Sequence, residues 1–313
     1  VPMRWYRGDC HLHSQRSHGG ELTPAEVVAA AREAGLDFVA VTEHNTTETY
    51  PAWSALAGDD LLVIAGQEAT TTTGHWLALG LPPGHVVDWR YGVRDDRIGE
   101  QVRGVHEHGG VCVVAHPHAP YPSGTFMFPL NGFDVIEVWN GLWTSALPWN
   151  ADNEAAVAEW GRSLAAGVHA GDWRPAVGNS DTHLRGQVAV PHTVVLAEEL
   201  SVEAVLAGIR AGRSWVAGSP GIQLSFTVTA GDRTGDIGAT VRTDGRAALA
   251  RVAVEGVPAG TVRFLTDRGR VHQAELPGGA GWETTAEESA YVRVEVRHPN
   301  GHMAALTNPI ILG

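Results

Sequence analysis

Apolar, β-branched runs in this chain repeatedly end on a histidine or an acidic residue. Phe38-Val39-Ala40-Val41 runs into Glu43-His44, Leu62-Val63-Ile64-Ala65 into Glu68, and Val111-Cys112-Val113-Val114 into His116. Core packing gives no reason for this repetition, since imidazole and carboxylate are costly to bury without partners. A sheet whose strands finish together, with polar side chains gathered at that end, accounts for it. Two further segments carry donors at i and i+2: His11-Leu12-His13 within GDCHLHS, and Asp181-Thr182-His183 within GNSDTH. In extended backbone such residues share a face, so each pair can converge on one point. Imidazole nitrogen and carboxylate oxygen suit zinc, manganese or iron better than copper(I) or an iron–sulfur cluster.

Strand and helix signals alternate up to about residue 215. Strands are predicted over Trp5 to His13, Phe38 to Thr42, Leu61 to Ala65, His75 to Leu81, Val111 to Ala115, Phe133 to Val138, Ala176 to Asp181 and Thr193 to Leu196. Between them, Thr23-Pro24 opens a helix that Gly35 stops, Ile98 to His108 and roughly Asp152 to Ala166 read as helices, and Ser201 caps another through Ile209. The alternation predicts parallel βα units with the donors at the carboxyl ends of the strands. After Gly218-Ser219-Pro220-Gly221 the pattern changes to short alternating runs, such as Gln223 to Thr229, Ala250 to Glu255, Thr261 to Thr266 and Ala290 to Arg297. These predict a small antiparallel β-sandwich. The expected division is a metal-binding unit over 1–218 and a sandwich over 219–313.

The 313 residues suffice for such a pair, and 43% hydrophobic content supports a buried core. With 22 basic against 35 acidic residues the formal charge is −13 and no basic run occurs, so nucleic acid and anionic membranes are poor partners. No apolar stretch approaches the roughly 18 to 20 residues of a membrane-spanning helix, and no signal-peptide pattern precedes Trp5, which leaves localisation unassigned. Cys10 and Cys112 are the only cysteines and read as small buried hydrophobes rather than a disulfide framework. The histidines beyond the donor motifs, among them His85, His106, His108 and His272, read as surface residues. The tryptophans read as packing residues, with Trp139 and Trp143 expected near the mouth of the site.

Taken in order, HLHS, VTEHNT, GQE followed by Gly74-His75, Ala115-His116-Pro117-His118 and GNSDTH resemble the polymerase and histidinol phosphatase (PHP) superfamily. The IEVWNG segment and the appended sandwich are most similar to its CehA/McbA-type members. The resemblance implies an α/β fold: a distorted (β/α)7 TIM-like barrel, here with a small C-terminal antiparallel β-sandwich, holding two or three divalent ions of manganese, iron or zinc. It makes His11, His13, Glu68 and Asp181 ligands of a first ion. Glu68 then bridges to a second held by His75 and His116, and His18, His44 and His183 take a third. It implies that Glu43, where the family more often has aspartate, orients a histidine. His11, His13, Glu68, Asp181 and His183 are the expected catalytic set.

Clustered divalent ions supply hydroxide near neutral pH, so hydrolysis needs no protein nucleophile; no P-loop, G-x-S-x-G elbow or dinucleotide fingerprint competes. Three ions bring +6 against −2 from Glu68 and Asp181, which favours a small anionic substrate. The leading expectation is a phosphomonoester or phosphodiester, with Arg16 and Arg185 gripping phosphate oxygens and Asn140, Asn179 and His118 as further substrate-lining candidates. An aryl carbamate or carboxylic ester is the alternative, for which an aromatic mouth of Phe126, Phe128, Trp139 and Trp143 would be suited. A non-catalytic binding module with structural metals is the third.

Overall fold

The structure is a computed structural model describing residues 1–313. Its first part runs β1 (Arg4–Asp9), α1 (Pro24–Glu33), β2 (Phe38–Val41), α2 (Tyr50–Ser54), β3 (Leu62–Thr71), β4 (Gly74–Leu79), α3 (Ile98–Glu107), β5 (Val111–Val114), β6 (Val135–Asn140), α4 (Asn153–Gly167), β7 (Ala176–Asn179), β8 (His192–Ala197), α5 (Val202–Arg210) and β9 (Ser214–Ala217). The remainder is all strand: β10 (Gln223–Ala230), β11 (Arg233–Asp236), β12 (Thr240–Val241), β13 (Ala248–Glu255), β14 (Thr261–Thr266), β15 (Gly269–Glu275), β16 (Gly278–Thr284), β17 (Tyr291–Arg297), β18 (Met303–Thr307) and β19 (Ile310–Leu312). No helix is long and apolar enough to cross a membrane.

Local signals set α1, α3, α4 and α5 where the sequence places them, while the short α2 was not expected. Thr23 caps α1 in a reciprocal capping box with Glu26, Pro24 occupies the first turn, and the chain leaves at Gly35 with φ +78°. Asp152 and Ser201 cap α4 and α5 through their side chains.

A mixed, curled sheet orders these strands as β9-β8-β1-β2-β3-β4-β5-β6-β7. β1, β2 and β3 run parallel, as do β5, β6 and β7. The uniformly parallel pattern expected from sequence breaks at β4, which forms an antiparallel hairpin with β3 and pairs antiparallel with β5; β8 and β9 are antiparallel too. The two-residue link Thr72-Thr73 between β3 and β4 is too short for the crossover that a parallel pair needs. The sheet curls until the segments after β1 and β7 meet at a Leu12–Thr182 bridge. Phe38, Ile64, Leu77, Val113, Val135 and Val177 share a core with Val205, Leu206 and Ile209 of α5, while α3 and α4 pack on a second core with Trp76, Cys112 and Ile136.

The strand-only part forms two layers. The sheet β11-β10-β13-β16 places Phe226, Val228, Ala250 and Val252 against Val262, Phe264, Val292, Val294 and Val296 of β14 and β17. β9 pairs with β18, so hydrogen bonding continues across residue 218 and the two parts share one sheet.

Candidate metal centre

The donor segments of His11, His13, His44, His116, Asp181 and His183 lie just past the strand ends. β1 stops at Asp9, so His11 and His13 stand in the following loop rather than in the strand expected to reach residue 13. The Leu12–Thr182 bridge holds them, with His13 N–H donating to Thr182 O at 3.0 Å. Leu12 and Thr182 turn into the protein, which sends His11, His13, Asp181 and His183 to the opposite side. A second bridge joins His44 to Glu68. Glu68 sits within β3 and His75 within β4, so the hairpin itself delivers both. Asp9 links the segments behind them, accepting from Ser180 N and Ala189 N at 3.1 and 3.0 Å.

Glu68 is the hub. Its Oε1 lies 3.2, 3.2 and 3.0 Å from Nε2 of His11, His13 and His44, while its Oε2 lies 3.2 Å from both His75 Nδ1 and His116 Nε2. Asp181 Oδ1 is 3.2 Å from His11 Nε2 and 2.9 Å from His13 Nε2. Three donor groups result: His11 with His13, Glu68 and Asp181; Glu68 with His75 and His116; and His13 with His44 and His183. The first two match the sets the resemblance implied. In the third, His13 stands where His18 was expected. His18 is exposed and borders the cavity without joining a donor group.

Buried partners fix the imidazoles. Glu137, in β6, accepts from His11 Nδ1 at 2.8 Å, which leaves Nε2 facing Glu68 and Asp181. Glu43 touches no histidine directly. It accepts from Ser14 N and from Ser17 Oγ, each at 2.8 Å, and Ser17 Oγ in turn lies 3.2 Å from His13 Nδ1 and accepts from His44 N at 3.0 Å. Sequence reasoning missed Glu137 and Ser17. The signal for Glu137 was a lone carboxylate inside Val135-Ile136-Glu137-Val138, an otherwise apolar strand.

The remaining candidates divide between the surroundings of the centre and positions away from it. Asn140 Nδ2 donates to Glu137 Oε1 at 2.7 Å and Asp181 Oδ2 at 3.2 Å, beside the centre. Asn179 is buried beneath it, donating to Glu137 and accepting from Cys10 N, so it supports the centre without lining the cavity. Arg16 turns away to Glu48, and Arg185 to Glu26. His118 pairs with Glu159 at 2.6 Å and lines a separate cleft with Phe126 and Phe128. Trp139 and Trp143 are buried rather than at the mouth. Tyr121, Trp149 and Leu184 are the large side chains that border the donor cavity, whose volume is about 320 Å³. His192, expected on the surface, is fully buried against Arg7.

The electrostatics favour positive charge at this point. Burial works to raise the Glu68 and Asp181 carboxyls, yet the surrounding histidines hold both well below the usual carboxylate range. Burial likewise works to lower His11 and His13, but the carboxylates keep His11 well above an ordinary histidine and hold His13 at about 9. His183 goes the other way, to about 4, through burial and then the charge of His13.

The donor set fits divalent cations. Two donors each about 2.1 Å from one ion stand about 3.0 to 3.4 Å apart for right-angled to tetrahedral geometry, close to the 2.9 to 3.2 Å found around Glu68 and Asp181. His11 Nε2, Glu68 Oε1 and His75 Nδ1 are buried without a hydrogen-bond partner, and all three point into the cluster. A cation would satisfy them and replace the protons, since ligating imidazole is neutral.

A curled α/β sheet that gathers histidines and carboxylates at one end is the framework of a candidate multi-cation centre. Residues 9–88 match the PHP domain family, the superfamily that the sequence motifs resemble. An uncharacterized protein of Methanocaldococcus jannaschii is 26% identical over 147 residues, covering 43% of this chain and 81% of that one. Among solved structures, a candidate metal-dependent phosphoesterase of Bifidobacterium adolescentis is 20% identical, covering 57% of this chain and 88% of that chain with a TM-score of 0.40. An amidohydrolase of Chromobacterium violaceum is 17% identical, covering 66% and 96%, with a TM-score of 0.42. Both superpose loosely.

Proposed function

We propose that this protein is a metal-dependent hydrolase acting on a small phosphomonoester or phosphodiester, within the CehA/McbA-type group. The observation that carries the reading is Glu68, whose two oxygens face separate sets of histidine nitrogens at 3.0 to 3.2 Å. His11, His13 and Asp181 would hold one cation beside Oε1 and His75 and His116 another beside Oε2, while His44 and His183, grouped with His13, are candidate donors to a third. Divalent cations there supply Lewis acidity and a source of hydroxide near neutral pH.

The chain's own residues supply the rest. Glu137, and Glu43 through Ser17, engage the Nδ1 atoms of His11 and His13, so Nε2 is the nitrogen each turns toward a cation. Tyr121 borders the cavity with a phenol that burial pushes up, so it stays an O–H donor toward a bound oxygen. No arginine or lysine lines the cavity, so the cations themselves would attract a phosphate group. The charge excess is smaller than Glu68 and Asp181 alone suggest, because Glu137 and Glu43 add two buried carboxylates. A second reading, cleavage of an aryl carbamate or carboxylic ester, is favoured by the rim of Tyr121, Trp149 and Leu184.

The test is an activity panel with protein loaded in turn with manganese, zinc and iron(II). Phosphoester turnover that His11→Ala abolishes is the expected outcome. Faster turnover of 1-naphthyl carbamates or aryl esters would move the assignment to the second reading, and no activity sensitive to His11→Ala would remove hydrolysis altogether.

A further inference from the structure

The face of β17 that carries Arg293, Glu295 and Arg297 is buried, although alternating charge on a strand ordinarily faces water. It packs toward α4, with Arg293 over the Trp160 ring at 5.0 Å and Arg297 over the Trp143 ring at 5.2 Å. The Arg297 guanidinium is held from several sides. It donates to Glu295 Oε1 at 2.7 and 3.1 Å, to Gly301 O at 3.1 Å, and as a two-pronged fork to both oxygens of Glu154 at 3.0 Å each. Glu154 is different. Its side chain is 62% exposed, so its burial demands no partner, and Arg297 fixes it as one end of a rigid link.

That link leads into the metal centre. Glu154 follows Asn153 at the first turn of α4, and Asn153 is buried. Asn153 Oδ1 accepts from Asn140 N at 2.9 Å, and its amide is shared among the carbonyls of Asn140, Leu142 and Trp143 at 3.1 to 3.2 Å. Asn140 then donates to Asp181 Oδ2 and to Glu137 Oε1. Asp181 faces His11 and His13 with its other oxygen, and Glu137 orients His11. Every step is a hydrogen bond or a peptide bond between mostly buried groups, so a short path joins the sandwich to the first cation position.

We infer that Arg297 is a positioning residue for the metal centre, acting through Glu154, Asn153 and Asn140 on Asp181 and Glu137. This gives the C-terminal sandwich a role in the site and rests on the cation-binding reading above. Releasing Glu154 lets the start of α4 shift, which loosens the Asn140 amide and with it the Asp181 carboxylate.

The experiment is a double-mutant cycle on the full chain, read by manganese and zinc titration calorimetry alongside thermal melting of the cation-free protein. Glu154→Gln keeps the shape and removes the charge, at a site exposed enough to leave folding intact. It is expected to weaken binding at the tightest position about ten-fold, the lower end of what losing an outer partner of a ligand costs, with the melting transition unchanged. Asn140→Ala weakens binding more, and adding Glu154→Gln to it costs nothing further, because the link is already cut. Rescue of affinity by Glu154→Asp would support the same link. Additive losses in the cycle, or a lowered melting transition with unchanged affinity, would overturn the inference. A wild-type chain that binds neither cation would instead overturn the metal reading on which it stands.

Discussion

Glu137 accepts hydrogen bonds from four donors: His11 Nδ1 at 2.8 Å, His116 N at 3.0 Å, Asn140 Nδ2 at 2.7 Å and Asn179 Nδ2 at 2.9 Å. Only a carboxylate has the acceptor capacity for all of them without a proton in the way. Glu137→Gln must turn an NH₂ group onto two buried donors. It is expected to cost about 1 to 3 kcal/mol of stability and to weaken cation binding about 10 to 100-fold, measured by denaturant unfolding and metal titration. An unchanged affinity would show that His11 needs no such partner. At this scale much was legible: His11, His13, Glu68, His75, His116 and Asp181 fall in the two donor groups that the family resemblance implied. The exchange of His18 for His13 in the third group was not, because loop direction has no periodicity to read.

At the scale of elements, the β3–β4 hairpin decides whether Glu68 and His75 meet. Its turn passes through Gly74 at φ +132°, and a Cβ there would lie 2.8 Å from the Phe126 Cα. Gly74→Ala therefore strains the turn and pushes His75, the next residue, away from Glu68 Oε2. The expected result is a loss of about 1 to 3 kcal/mol together with one fewer bound cation per chain, read by thermal unfolding and elemental analysis. Full stoichiometry in a stable variant would place the hairpin outside the site. The sequence marked both strands and α1, α3, α4 and α5, with caps at Thr23 and Ser201, but not the short α2. It predicted parallel βα units where β4 is antiparallel, since an apolar run carries no sign of its direction.

Across the whole molecule, Arg7 of β1 ties the two parts together. It donates to Ile222 O at 2.6 Å and Gln223 Oε1 at 3.0 Å, and its other nitrogen lies 3.0 Å from His192 Nε2. His192 Nδ1 donates to Ala189 O at 2.9 Å, so Nε2 must be the bare nitrogen that accepts from Arg7. Burial first, and then Arg7, push His192 down to about 4 from an ordinary 6.5. Between those values the unfolded chain takes up a proton that the folded one refuses, so stability is full above about 6.5 and falls as pH drops toward 4, by up to about 3 kcal/mol. His192→Gln can keep both hydrogen bonds and lacks the titration. It is expected to flatten the decline in denaturant midpoint between pH 6.5 and pH 4, and an identical decline in the variant would locate the acid sensitivity elsewhere.

Composition and period gave the broad class here: alternating α/β units, a strand-rich C-terminal part, and donor residues spaced to converge, because backbone geometry alone makes i and i+2 share a face. Tertiary structure decided which histidines face Glu68, that Arg16, Arg185 and His118 point away, and that the charged face of β17 is buried on α4 rather than wetted. Those outcomes depend on partners far apart in the chain, such as Glu137 for His11 and Glu154 for Arg297, and no local pattern encodes a contact that forms only when the sheet closes.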